Sequence, residues 1–127
     1  MQATARRLLG DPRGASQLLE KASLQNPDDV SLQLELAQTL GAAGDRERGL
    51  DTARRIAGRD NLTAATRRSV ARLLGQLGDL PAAAAGLRAL RDADQATPSD
   101  LLALARLYRD QQRPEDAAAL LPDLLAA

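Results

Sequence analysis

The sequence predicts an all-α fold of antiparallel helix pairs stacked into a superhelix, and three observations predict it. The first is composition. Of 127 residues, 44% are hydrophobic, most of them Leu or Ala, and Tyr108 is the only aromatic. Ala and Leu are strong helix formers, whereas sheets draw on Val, Ile and aromatic side chains. The second is a fixed period. Leu40-Gly41-Ala42-Ala43-Gly44-Asp45 recurs as Leu74-Gly75-Gln76-Leu77-Gly78-Asp79, with a weaker copy over Arg6 to Asp11. Gly10, Gly44 and Gly78 thus stand 34 residues apart, and Gln112-Arg113 fills the fourth position. Such a period in a helical composition marks stacked helix pairs.

The third observation is that columns at this period agree chemically. One reads Ala3, Ala37, Ala71, Ala105; the next Leu36, Val70, Leu104; a third Leu40, Leu74, Tyr108, with Arg6 the exception. In the second helix of each pair the columns are Ala15, Gly49, Ala83, Ala117, then Leu19, Ala53, Leu87, Leu121, then Ala22, Ile56, Leu90, Leu124. Small residues belong where two helices cross closely, because a branched side chain would hold them apart. This compensates Gly49, which costs about 1 kcal/mol in helix propensity. The reading is one domain of about three and a half repeats, with units near 1–27, 28–61, 62–97 and 98–127. Because the chain opens in mid-pattern, a larger parent protein is expected.

Taken in order, Met1 to Leu9 is expected to be the end of a helix. Asp11 and Pro12 suit the cap and first turn of a helix to about Gln25, which presents Ala15, Leu18, Leu19 and Ala22 on one face. Asn26-Pro27 breaks it. Asp28 or Asp29 starts the next, which carries Val30, Leu32, Leu34, Leu36, Ala37 and Leu40 and ends near Ala43. Gly44 is expected to be left-handed, where a Cβ is costly. Asp45 caps a helix from Arg46 to Gly58, with Leu50, Ala53, Ile56 and Ala57 inward. Thr63 caps a fifth helix with Ala64, Val70, Ala71 and Leu74 inward. Gly78-Asp79-Leu80-Pro81 ends it and starts a sixth, to about Ala93. Ser99 is expected to cap a seventh, with Leu101, Leu104, Ala105, Leu107 and Tyr108 inward. After a turn at Gln111 to Pro114, Ala117, Leu120, Leu121, Leu124 and Leu125 line the last helix.

Formal charge is zero, with 17 basic and 17 acidic residues, so no long-range field recruits nucleic acid or an anionic membrane. No apolar run approaches the roughly 18 residues of a membrane span, so direct insertion is not expected. The chain has no His and no Cys. That removes the commonest general base, nucleophile and transition-metal ligands. The carboxylate pairs Asp28/Asp29, Asp92/Asp94 and Glu115/Asp116 fall at helix ends or outer faces, where solvated acids are ordinary, and no glycine-rich phosphate loop occurs. No catalytic, cofactor-binding or metal-binding residues are expected, and no cofactor; the chain reads as non-catalytic.

These columns resemble the tetratricopeptide repeat family. Leu36-Ala37, Leu40, Gly44-Asp45, Gly49, Ala53 and Ile56 follow its pattern in one repeat. Val70-Ala71, Leu74, Gly78-Asp79, Ala83, Leu87 and Leu90 follow it in the next, and Leu104-Ala105, Tyr108, Ala117, Leu121 and Leu124 in the third. Pro27 fills an exit position. The family's early aromatic is replaced by Gln33, Arg67 and Leu101, and exit prolines are missing after the second and third units, unless Pro98 serves three residues late. The resemblance implies a TPR-like superhelix that binds protein partners on its concave face.

On that face the resemblance implies Ser31, Leu34, Gln38 and Gly41; then Ala65, Arg68, Arg72 and Gln76; then Ser99, Leu102, Arg106, Arg109 and Asp110. The candidate groove residues are Leu34, Gln38, Arg68, Arg72, Leu102, Arg106 and Arg109. Arg68 and Arg72 are one turn apart, and Arg106 lies one period beyond Arg72. An arginine strip of this kind suits an acidic or carboxylate-bearing peptide, with Leu34 and Leu102 as apolar anchors. The family's chaperone-tail clamp needs Asn and Lys at positions that hold Leu34, Gln38, Arg68, Arg72, Leu102 and Arg106, so that mode is not expected.

The Ala/Leu/Arg-rich style, as in Gly10-Asp11-Pro12-Arg13-Gly14-Ala15, Leu18-Leu19-Glu20-Lys21-Ala22 and Asn26-Pro27-Asp28-Asp29, is similar to the periplasmic repeats of bacterial cellulose-export subunits. That likeness implies a periplasmic spacer between a polysaccharide synthase and an export pore. The alternative is a cytosolic, peptide-binding regulatory or co-chaperone-like adaptor. Location follows the reading: periplasm for the export subunit, cytoplasm otherwise. The leucine-rich last helix is expected to pack on further repeats or on a second copy.

Overall fold

A computed structural model describes residues 10–126, all-helical apart from turns. The chain divides into two compact units, Met1–Arg59 and Asp60–Ala127. The expected opening helix, with Ala3 and Arg6, lies outside the described residues.

In the first unit, α1 (Pro12–Gln25) packs on α2 (Val30–Ala42), which packs on α3 (Arg46–Ala57). Each helix begins at an aspartate whose carboxylate accepts an exposed amide of the first turn: Asp11 from Gly14, Asp29 from Leu32, Asp45 from Arg48. These are amides that the helix itself cannot satisfy. Between α2 and α3 the chain reverses at Gly44, whose φ is 85°. The Asp45 amide donates back to the Leu40 carbonyl at 2.9 Å, closing the turn. So short a turn forces the two helices antiparallel. Ala15, Leu19, Leu36, Ala37, Leu40, Ala53 and Ile56 are buried, as their columns require. Arg48 of α3 reaches the Glu20 carboxylate of α1, and the Arg59 guanidinium donates to the Pro27 carbonyl at 2.7 Å. The Glu20 contact raises the pKa of Arg48 by hydrogen bonding and charge attraction.

In the second unit α4 (Ala64–Gln76) and α5 (Leu80–Asp92) form a hairpin of the same kind. Thr63 and Asp79 are the caps. Gly78 has φ 93°, and the Asp79 amide donates to the Leu74 carbonyl at 2.9 Å. Helix α6 (Pro98–Asp110) packs on α5 and is followed by α7 (Pro114–Ala118) and α8 (Leu121–Ala126). Ala71, Ala84, Leu87, Leu90, Leu101, Leu104, Tyr108 and Leu120 form one core cluster. Tyr108 is buried, with the Arg113 guanidinium over its ring at 5.2 Å.

Two expectations need correction here. Ser99 does not cap α6. Thr97 does, in a reciprocal box with Asp100: the Thr97 hydroxyl accepts from the Asp100 amide, and the Asp100 carboxylate accepts from the Thr97 amide. Pro98 then takes the first helical position, where its missing N–H costs nothing. The last helix is also not continuous. It breaks at Ala119-Leu120, because a proline at 122 cannot donate to the Ala118 carbonyl and its ring would collide with it. The break turns the leucine register by one residue. Leu120 is fully buried, while Leu121, expected in the core column, is 55% exposed and Leu125 is 86% exposed.

Candidate interaction groove

The second unit carries a groove walled by α4 and α6 and floored by α5. Arg68, Ala71, Arg72, Gly75 and Gln76 come from α4, and Ala83 and Leu87 from α5. The opposite wall is Ser99, Asp100, Ala103, Arg106, Leu107 and Asp110 of α6. Ala71, Gly75, Ala83 and Ala103 leave space between the walls. Where α4 meets α5, a Cβ added to Gly86 would stand 3.0 Å from the Ala71 Cβ, so the helices touch nearly backbone to backbone.

Arg68 is not available to a ligand in the way the sequence suggests. Its Nε donates to both carboxylate oxygens of Asp100 at 2.9 Å, and its Nη2 reaches the Gln95 carbonyl at 3.3 Å. Asp100 is buried. Burial alone would raise its pKa, but the Thr97 amide and the Arg68 guanidinium outweigh that and hold the carboxyl below the usual carboxylate range. The pair ties α4 to the start of α6 across 32 residues of chain. The local signal for Asp100 was Thr97-Pro98-Ser99-Asp100, a T-x-x-D box. Its partnership with Arg68 had no signal in the sequence.

Arg72 and Arg106 differ from Arg68. Both are exposed and both line the groove. Neither makes an ion pair or side-chain hydrogen bond with a described residue. Leu102 and Arg109 are not among the lining residues; the inward positions of α6 are Ala103 and Leu107 instead. Leu102 is 48% exposed, and Arg109 meets its neighbour Asp110 at 3.4 Å. Leu34, half-buried, and Gln38, exposed, belong to α2 of the first unit.

Among the described residues no cluster of His, Cys, Asp or Glu could hold a metal ion. No described helix is long and apolar enough to cross a membrane.

No protein-family model matches this chain, and no curated protein matches its sequence. Solved structures do match. One of MamA superposes with a TM-score of 0.74 at 16% identity, over 98% of this chain and 72% of MamA. MamA of AMB-1 gives 0.70 at 18% identity, over 98% and 74%. The nearly identical TPR-like repeats of a kinesin light chain candidate from Podosopora anserina give 0.70 at 19% identity, over 98% and 71%. At these identities the likeness is one of fold, and the fold is all-α and TPR-like.

Proposed function

We propose that the chain is a non-catalytic protein-interaction module whose α4–α6 groove holds a carboxylate-bearing segment of a protein partner. The observation that carries this reading is the pair Arg72 and Arg106, facing one groove over a floor of Ala83 and Leu87 without an anionic partner among the described residues. A guanidinium presents a planar fork of donors that matches a carboxylate. Arg68 is a positioning residue in this scheme, its charge spent on Asp100. Fluorescence anisotropy with a library of acidic peptides tests the proposal. Arg72→Gln with Arg106→Gln should weaken binding about tenfold or more, the scale of a lost charge-assisted hydrogen bond. Unchanged affinity in that double variant removes the proposal.

We further propose that the module serves a bacterial assembly, as a periplasmic spacer in exopolysaccharide (cellulose) export. Its support is the sequence style of residues 10–29 alone. The flanking regions of the parent gene product test it. A signal peptide before the repeats and a β-barrel pattern after them are expected; a fused thioredoxin-like, DNA-binding or kinase domain overturns it. The exposed Leu121 and Leu125 support self-association through the terminal helices. Light scattering over a concentration series should show it, and a strictly monomeric species removes that part.

A further inference from the structure

The groove is not uniform along its length. Its middle holds Arg72 and Arg106, and its far end holds Gln76 and Asp110, the last residues of α4 and α6. Two parallel helix walls therefore end together. Each helix C-terminus carries about half a unit of negative charge, which favours a cation. The Asp110 carboxylate adds a full charge there. Its ion pair with Arg109 spans 3.4 Å between two side chains that are 72% and 51% exposed. Exposed pairs of that kind exchange readily for a better partner. The N-terminus of α5 enters at the same end, but Asp79 already caps it.

We propose that this groove reads a charge-ordered segment: an extended peptide with an acidic residue against Arg72 and Arg106 and a basic residue two positions away against Asp110. The inference rests on the groove reading above and adds the ligand's second charge, its spacing and its direction. The spacing follows from the walls. Arg106 and Asp110 are one helical turn apart, a rise of about 6 Å. In an extended chain residues i and i+2 share a face and stand about 6.6 Å apart. A segment laid in backwards would set its acid on Asp110 and its base on the arginines, so one direction is selected.

The test is a comparison of three alanine-rich peptides carrying Glu-Ala-Lys, Glu-Ala-Ala or Glu-Ala-Glu, measured by anisotropy at low salt against the wild-type chain and Asp110→Lys. Wild type should bind Glu-Ala-Lys about three- to fivefold more tightly than Glu-Ala-Ala, with Glu-Ala-Glu weakest, the scale of one exposed charge contact assisted by helix ends. In Asp110→Lys the order should reverse, with Glu-Ala-Glu first. Equal binding of the three peptides by wild type, or an order that survives Asp110→Lys, overturns this inference and leaves the carboxylate groove standing. Failure of wild type to bind any glutamate-bearing peptide overturns both. Circular dichroism confirms that Asp110→Lys is folded, and the ranking on wild type decides independently of it.

Discussion

The hairpin of α4 and α5 and the hairpin that follows it, α6 with α7 and α8, occupy the same register of one repeat but are built differently. In the first, Gly78 supplies the left-handed turn and Asp79 caps the second helix. In the second, Gln112 adopts the same region at φ 58°, the Arg113 amide donates to the Tyr108 carbonyl at 2.8 Å, and no side chain caps α7. The backbone turn thus survives the loss of both residues that favour it. What does not survive is the helix after it. The column that holds Gly86 at a tight crossing in α5 holds Leu120 in the later hairpin. There the break before Pro122 rotates Leu120 wholly into the core and pushes Leu121 out. Turn geometry is set by backbone hydrogen bonds and tolerates substitution; helix continuity depends on every residue and tolerates one proline poorly.

That contrast can be broken most forcefully at Leu120. Leu120→Ala should cost about 3 kcal/mol by leaving a cavity in the core, while Leu121→Ala should cost under about 0.5 kcal/mol. Urea melts giving equal losses would show that the last helix keeps the register of α5.

The contact joining the two hairpins comes next. Asp100→Asn should destabilise by about 2 kcal/mol at neutral pH, because Arg68 loses its buried counter-charge. Since folding lowers the Asp100 pKa, its contribution is complete above the ordinary carboxylate range and disappears as pH falls through the lower folded value. Melts from pH 7 down to about 2.5 should therefore bring wild type and variant together at the acid end. A constant gap would show that Asp100 acts by packing rather than charge.

At Gly86, replacement by Val places new carbons against Ala71 and should cost about 1–2 kcal/mol. A neutral result would mean that α4 and α5 move apart at little cost. A gain rather than a loss is expected at the later turn, where Gln112→Gly should stabilise by about 0.5–1 kcal/mol by relieving a left-handed side chain. No gain would place the strain elsewhere.

Much of this architecture is legible in the residues themselves. Asp11, Asp29, Asp45, Thr63 and Asp79 announce helix starts because a cap is a local interaction, complete within four residues. The Ala and Leu columns announce the core because a helix face repeats. The groove was legible only in outline. Its walls follow from the period, but whether Leu102 or Ala103 looks inward depends on a rotation of about 100° per residue that tertiary packing sets. The state of Arg68 was not legible at all, since its partner lies on another helix. Ser99 reads as a cap because it is a good one in isolation. Thr97 prevails because its box with Asp100 satisfies two amides instead of one.

The Thr97–Asp100–Arg68 linkage makes the first turn of α6 a built-in reporter. The Thr97 amide donates to the Asp100 carboxylate that also holds Arg68, and the Asp100 amide donates to the Thr97 hydroxyl, so both should exchange slowly with solvent. Whatever pulls Arg68 away from Asp100 should quicken their exchange, and whatever seats on Arg72 and Arg106 alone should leave it untouched. Two amide signals would then separate a ligand that rests in the groove from one that pries its wall open.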